Sequence, residues 1–143
     1  MESRMKIATK KLGEIEVDKD SIIHFPSGII GFEKFNHFIL IKNKEFDPFC
    51  WLSAMSEEDE LSLPMIDPFL VKTDYALSLP ETLSKDPELD FDNIQLFCVV
   101  NLNGNNGHFT INLRSPIIIN WNKKTGKQLV LESDDMPVAE PVW

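Results

Sequence analysis

The sequence offers little material for covalent or metal cross-links, because its 143 residues include only two cysteines, Cys50 and Cys98. Each cysteine lies in a short apolar run, where a free thiol usually packs as a small hydrophobic group. Two isolated cysteines also cannot supply a paired metal-binding motif. The longest unbroken apolar runs cover residues 38–41 and 96–100, far below the ~18 residues that a membrane span needs. Without such a run or a targeting segment, we expect a cytoplasmic protein with reduced thiols and no membrane contact.

Positive charge is also scarce, since 14 lysines and arginines stand against 23 aspartates and glutamates, a formal charge of −9. Proteins hold the phosphate backbone of nucleic acids through lysine and arginine, so this balance argues against direct nucleic-acid binding. It favours a basic or neutral partner. The acids concentrate in residues 57–60, 81–92 and 132–143. Each of these segments is typical either of a solvated loop or of an acidic contact surface.

The motifs of common catalytic sites are missing. There is no Gly-x-Ser-x-Gly nucleophile turn and no phosphate-binding loop of the Gly-x-x-x-x-Gly-Lys-Ser/Thr type. The three histidines, His24, His37 and His108, lack metal-ligand spacing, and residues 57–60 lack the alternating acids of a calcium loop. We therefore predict no catalytic residue, no metal and no cofactor. The alternative is a small-ligand-binding or hydrolytic β-barrel that uses His24 or His108 with a nearby acid.

Short strands dominate what is present, and the length predicts one domain over residues 1–143, with a leader at 1–4 and an acidic C-terminal tail at 132–143. A brief helix is predicted only over residues 80–85, where Pro80 suits a first helical turn and Pro87 ends it. We predict an all-β fold, a small antiparallel β-barrel or two-sheet sandwich with at most one short helix. Apolar alternation and turn residues predict strands at 6–9, 14–17, 21–25, 38–42, 49–54, 61–66, 94–103, 108–113, 117–121 and 128–131, with another within 69–79.

The sequence supports specific structural predictions for two local motifs. Gly28 and Gly31 are predicted to form a structural turn, because glycine adopts positive φ without steric cost. Arg114 is one of only two arginines, and it follows Asn112 at the end of a predicted strand. Asn112 and Arg114 therefore have two interpretations. In the first, both satisfy backbone carbonyls at a strand junction. In the second, Arg114 anchors a carboxylate or backbone group of a partner.

Taken in order along the chain, these motifs resemble the FliW family of flagellar assembly factors. The resemblance extends from about Met5 to Leu131. It departs from the family at Ile30, which stands where the family usually has proline between the two glycines, and at residues 1–4, which precede the typical start. The matching segments are residues 5–10, 13–17, 25–33, 67–69, 74–75, 79–80, 112–117, 120 and 126–129.

The resemblance implies a cytoplasmic partner switch that is not an enzyme. FliW-like proteins bind flagellin as a chaperone would, and they antagonise the translational regulator CsrA, so that flagellin export is coupled to flagellin synthesis. An acidic protein would associate faster with a basic regulator because their electrostatic fields are complementary. The residues that we predict to contact partners are Glu57, Glu58, Asp59, Glu60, Asp67, Phe69, Asn112 and Arg114.

Overall fold

The computed structural model describes residues 4–9, 13–18, 21–42, 44–55, 61–72, 75, 94–102, 109–131 and 137–142. Within these ranges there is no α-helix, and two short 3-10 turns, Lys44–Phe46 and Pro68–Leu70, are the helical elements. The all-β prediction is confirmed. The strands are β1 (Arg4–Thr9), β2 (Gly13–Asp18), β3 (Ile22–His24), β4 (His37–Lys42), β5 (Phe49–Ala54), β6 (Ser62–Ile66), β7 (Ile94–Asn101), β8 (Phe109–Ile111), β9 (Ile117–Asn120), β10 (Thr125–Gln128) and β11 (Glu140–Val142).

Seven of these strands close into a barrel in the order β7-β6-β5-β4-β3-β10-β9, with β9 pairing back onto β7. The structure is therefore the barrel rather than the two-sheet sandwich. Its neighbours are antiparallel except at one seam, where β3 and β10 run parallel and His24 stands opposite Thr125. The N–H of His24 donates to the carbonyl oxygen of Lys124 at 2.9 Å across this seam. A parallel pairing was not expected from the sequence.

The remaining strands extend the barrel at its margins. β1 and β2 form an antiparallel hairpin of their own. β8 pairs with the end of β7, and β11 pairs with β8. Because β1 begins at Arg4 and β11 covers Glu140–Val142, both the predicted leader and the predicted acidic tail contribute residues to strands.

Alternating side chains of the barrel strands fill its interior. Phe25 and Phe38 meet edge to face there, with ring centroids 5.0 Å apart and planes at 69°. This packing leaves the interior occupied by protein side chains, as in other small closed barrels. The buried interior residues include Ile23, Phe25, Phe38, Leu52, Met65, Phe97, Ile117 and Ile119.

A second apolar cluster covers the outer face of β7. Leu96, Cys98 and Val100 point outward from β7, while Phe97 points into the barrel. Thus β7 is buried on both faces for much of its length, and its nearly continuous apolar sequence is typical of such a strand. The outer cluster is completed by Ile66, Tyr75, Ile111, Leu113, Ile118 and Leu131.

One strand prediction was wrong, because β10 occupies Thr125–Gln128 rather than residues 128–131. The segment that begins at residue 69 contains a 3-10 turn, because Pro68 starts it and the carboxylate of Asp67 accepts the Phe69 N–H at 2.9 Å. Residues 73–74 and 76–79, which hold the rest of that predicted strand, and the predicted helix at 80–85 lie outside the described residues, so both stay predictions.

Gly28 and Gly31 both have positive φ, +67° and +89° respectively. A Cβ on Gly28 would lie 2.7 Å from the Cα of Glu33, whereas a Cβ on Gly31 would meet nothing within 4 Å. The turn thus needs glycine at residue 28 for backbone conformation and for space, and at residue 31 for backbone conformation alone.

Gly126 provides a test of the barrel seam. A Cβ at this position would lie 2.2 Å from the ring of Phe25, so Gly126→Ala must displace a ring that fills the interior. We expect this substitution to lower the free energy of unfolding by about 1–3 kcal/mol, as other overpacked cores do, measured by urea denaturation.

The matched control for this prediction is the Gly126→Ala/Phe25→Leu double variant. Leucine vacates the position of the ring atoms that the new Cβ would meet, so the two substitutions should cost less together than the sum of their separate costs. Strict additivity would show that the close approach of Gly126 to Phe25 does not govern packing at the seam.

Candidate partner-binding surface

Two segments that the sequence singles out, residues 67–69 and 112–114, are brought together by Tyr75. The Tyr75 side chain is completely buried, and its hydroxyl donates to the carbonyl oxygen of Leu113 at 2.5 Å. Its ring meets that of Phe69 edge to face, with centroids 6.0 Å apart and planes at 84°. Tyr75 therefore joins the end of β6 to the segment between β8 and β9.

On the β6 side of this junction, most of the polar and apolar groups have structural roles. Asp67 caps the 3-10 turn through its bond to the Phe69 N–H, and Pro68 is buried. Phe69 is half-buried. Leu70 points outward and is 62% exposed. Asp67 and Phe69 thus shape a turn that presents a partly accessible surface.

On the other side, Asn112 organises the backbone of the segment between β8 and β9. Its side-chain oxygen accepts the N–H groups of Arg114 and Ser115 at 3.1 and 3.2 Å, the arrangement of an Asx turn. The carbonyl oxygen of Arg114 accepts the Leu131 N–H at 2.7 Å. Asn112 therefore satisfies backbone donors at this junction, not the backbone carbonyls that the strand-junction interpretation expected. Asn112 and Arg114 are both half-buried.

The buried thiols and the buried phenol, at this junction and inside the barrel, stay neutral. Burial raises the pKa of the Cys98 thiol to about 12 even though the thiol lies 3.8 Å from the Tyr75 hydroxyl. Burial also raises the pKa of the Cys50 thiol to about 12 and raises the pKa of the Tyr75 phenol. Because nucleophilic attack by cysteine needs the thiolate, these groups act as packing and hydrogen-bonding residues at neutral pH.

The loop that contains Gly28 and Gly31 lies at one end of the barrel and is held there by Gln128. The N–H of Ile30 donates to the side-chain oxygen of Gln128 at 2.8 Å, and the Gln128 amide donates to the carbonyl oxygen of Ser115 at 3.3 Å. The loop and the residues after β10 expose apolar side chains to solvent: Ile30 is 59%, Phe32 37% and Val130 58% exposed. Val130 follows Gln128 by two residues, just beyond the end of β10.

The acidic residues Glu57, Glu58, Asp59 and Glu60 lie outside the described residues, but the residues that flank them are placed. The N–H of Ala54 donates to the carbonyl oxygen of Leu61 at 2.9 Å, and the N–H of Met55 donates to the carbonyl oxygen of His37 at 2.8 Å. His37 begins β4 directly after the glycine loop. The described residues on both sides of the acidic segment therefore lie at the same end of the barrel as Ile30 and Phe32.

His24 and His37 form a stacked pair on the outer surface, with ring centroids 4.8 Å apart and planes at 16°. Both are exposed. Among the residues that the structure describes, no three histidine, cysteine or acidic side chains are grouped as metal ligands would be. His108 lies outside these residues.

No helix in the described part of the chain is both long and apolar enough to cross a membrane.

Sequence reasoning did not identify the structural roles of Tyr75 and Gln128. Tyr75 is the only tyrosine in the chain, and a buried tyrosine usually finds a hydrogen-bond acceptor. That rule indicates a bond but not the partner, because Leu113 is 38 residues away in the sequence. The role of Gln128 depends on the loop conformation that the two glycines allow.

The Tyr75 hydroxyl can be tested alone by Tyr75→Phe, which keeps the ring and removes the bond to Leu113. A buried carbonyl would then lose its donor, so we expect the free energy of unfolding to fall by about 1–3 kcal/mol, measured by urea denaturation with unchanged far-ultraviolet circular dichroism. Stability equal to wild type would contradict the role of this bond in joining the two segments.

The FliW protein family model matches residues 6–142 of the chain. A flagellar assembly factor FliW from Alkaliphilus metalliredigens (strain QYMF) is 37% identical over 132 residues, covering 91% of this chain and 81% of the relative. A protein of the same name from Thermotoga maritima is 42% identical over 127 residues, covering 87% and 85%.

The comparison with solved structures agrees with the match to the FliW family. A crystal structure of the flagellar assembly factor FliW superposes with a TM-score of 0.79 at 28% identity and covers 96% of both chains. The barrel, its marginal strands and the sequence motifs therefore match one family over nearly the whole length. The chain belongs to the FliW family, whose relatives named above are flagellar assembly factors.

Proposed function

We propose that this protein acts in flagellar assembly in the cytoplasm, where it binds flagellin and antagonises the translational regulator CsrA by partner switching. Flagellin export would free the protein to capture CsrA and so permit flagellin synthesis. The observation that carries the proposal is membership of the FliW family over residues 6–142. The proposed activity is binding without catalytic turnover, metal, cofactor or direct nucleic-acid contact.

The filled barrel supports a function on the outer surface. A ligand-binding or hydrolytic barrel would need interior space, but bulky side chains such as Phe25, Phe97 and Met65 occupy the interior. The two described histidines, His24 and His37, stack on each other on the outside. We therefore rank the ligand-binding or hydrolytic barrel below the partner-binding function.

For flagellin, we propose a docking region at the barrel end that carries the glycine loop. Ile30, Phe32 and Val130 are among the large apolar side chains exposed in the described structure, and exposed apolar groups commonly mark interaction sites. The terminal segments of flagellin are helical and amphipathic in the family picture, and such helices bind through their apolar face.

For CsrA, we propose contact through Glu57, Glu58, Asp59 and Glu60, since CsrA is expected to be basic where it meets RNA. The flanking residues Ala54 and Leu61 attach this segment to the same barrel end as the proposed flagellin region. Partners that share one end of a small barrel would compete, which is what a partner switch requires.

Asp67, Phe69, Asn112 and Arg114 form a further proposed contact region around the Tyr75 junction. Phe69 and Arg114 are each half-buried, so both retain surface for a partner. Arginine suits such a contact because its guanidinium can bind a carboxylate with two parallel hydrogen bonds.

The flagellin region predicts a selective effect of Ile30→Ser. Removing an exposed apolar side chain from a docking surface should weaken flagellin binding by about tenfold, as a residue at the centre of an interface does, measured by calorimetry. The matched control is Val138→Ser, because Val138 is 56% exposed and precedes β11 at the margin of the barrel. Equal affinities of the two variants would contradict this placement.

The acidic segment predicts a kinetic effect on CsrA. Changing Glu57, Glu58, Asp59 and Glu60 to Gln or Asn should slow CsrA association by about tenfold at low ionic strength, because complementary fields raise association rates. The difference should shrink as salt screens the charges, while flagellin binding should change little. Stopped-flow association measured across a salt titration tests this.

The control for that experiment removes the same charge from the C-terminal acidic segment, at Glu132, Asp134, Asp135 and Glu140. If association is steered through residues 57–60, this control should retain most of the wild-type rate. Equal rates for wild type and the residue 57–60 variant would show that this segment does not face CsrA.

A further inference from the structure

A cleft of about 390 Å³ lies where the loop after β3 meets the turn between β9 and β10. Pockets for small molecules begin at roughly this volume, about 300 Å³. Five of its seven lining residues have polar or positively charged side chains, whereas the barrel interior is apolar. The lining residues include Pro26, Ser27, Asn120, Lys123, Thr125 and Lys127.

The cleft belongs to the positively charged part of an acidic protein. The chain has a formal charge of −9, yet between Asp92 and Glu132 there is no acidic residue. That stretch has four positive charges, at Arg114, Lys123, Lys124 and Lys127, and two of the four line the cleft. A local excess of positive charge attracts anions even when the whole protein is negative.

Asn120 forms a buried wall of the cleft and is only 3% exposed. Its side-chain oxygen accepts the N–H groups of Asn122 and Lys123, each at 3.0 Å. These two bonds fix the orientation of the amide and hold the turn that carries Lys123. The Nδ2 group then has no acceptor within the described residues, and buried donors of this kind usually have one.

We propose that this cleft binds a phosphate-class oxyanion, either free phosphate or a phosphate monoester on a small molecule. The ammonium groups of Lys123 and Lys127 supply positive charge, as lysine does in many phosphate sites. The hydroxyls of Ser27 and Thr125 supply further donors. An oxyanion oxygen that reaches the wall of the cleft gives the Asn120 Nδ2 group its missing acceptor. This site goes beyond flagellin and CsrA binding and does not depend on either.

The test is titration of the full-length protein with inorganic phosphate and with glycerol phosphate, observed by backbone-amide NMR. Chloride at equal ionic strength serves as the reference. We expect saturable shifts centred on Thr125, Gly126 and Lys127. Tighter binding of glycerol phosphate than of phosphate would identify a monoester as the ligand, and the reverse order would identify the free ion. Shifts identical to those in chloride would overturn the proposal.

Charge variants separate the cleft from its surroundings. The Lys123→Gln/Lys127→Gln double variant should weaken phosphate binding by at least about tenfold, since each lysine makes a charge-assisted contact. Lys124→Gln is the matched control, because Lys124 lies in the same turn but its ammonium stands over the Trp121 ring, 5.5 Å from the centroid. Its effect should stay within about twofold. Wild-type affinity in the double variant would overturn the proposal.

Asn120→Asp provides an independent test. A carboxylate keeps the oxygen that accepts from Asn122 and Lys123 but replaces the Nδ2 donor with negative charge. We expect phosphate binding to be lost while circular dichroism and flagellin binding remain. A folded Asn120→Asp protein with unchanged phosphate affinity would overturn the site, and if this variant fails to fold, the lysine double variant decides the question.

Discussion

The structure depends on closure of the barrel between β3 and β10. Antiparallel pairing holds every other pair of barrel neighbours, whereas this seam is parallel and pairs only His24 with Thr125. The hydrogen bond from His24 to Lys124 and the ring of Phe25 against Gly126 support the closure. Because Phe25 also packs against Phe38 inside the barrel, the seam and the filled interior stabilise each other.

A filled interior directs function to the outer surface. One barrel end carries exposed Ile30 and Phe32, and the described residues on both sides of the acidic segment 57–60 lie there. An apolar region beside an acidic segment offers two kinds of recognition to two kinds of partner. The proposed partner switch follows from this adjacency, because a small surface cannot accept two proteins at once.

Sequence patterns predicted the strands well where alternation was strong, and β5 was predicted with its observed limits, Phe49–Ala54. They failed at β10, whose residues Thr125–Gln128 are polar or glycine and resemble a turn. That strand is paired with β9 along its whole length, and its Gly126 lies against the Phe25 ring, which are tertiary contacts that no local pattern contains. The role of Tyr75 was missed for the same reason, since its partner Leu113 is distant in sequence. The glycine turn was easier because positive φ is a local property.

The central claim, partner switching, is tested most directly by competition. Labelled CsrA is first bound to the purified protein, and flagellin is then added while fluorescence anisotropy reports the bound fraction of CsrA. The account predicts that flagellin releases CsrA in proportion to the flagellin bound, because both partners use the same barrel end. A stable complex that contains all three proteins, or binding of neither partner, would contradict it.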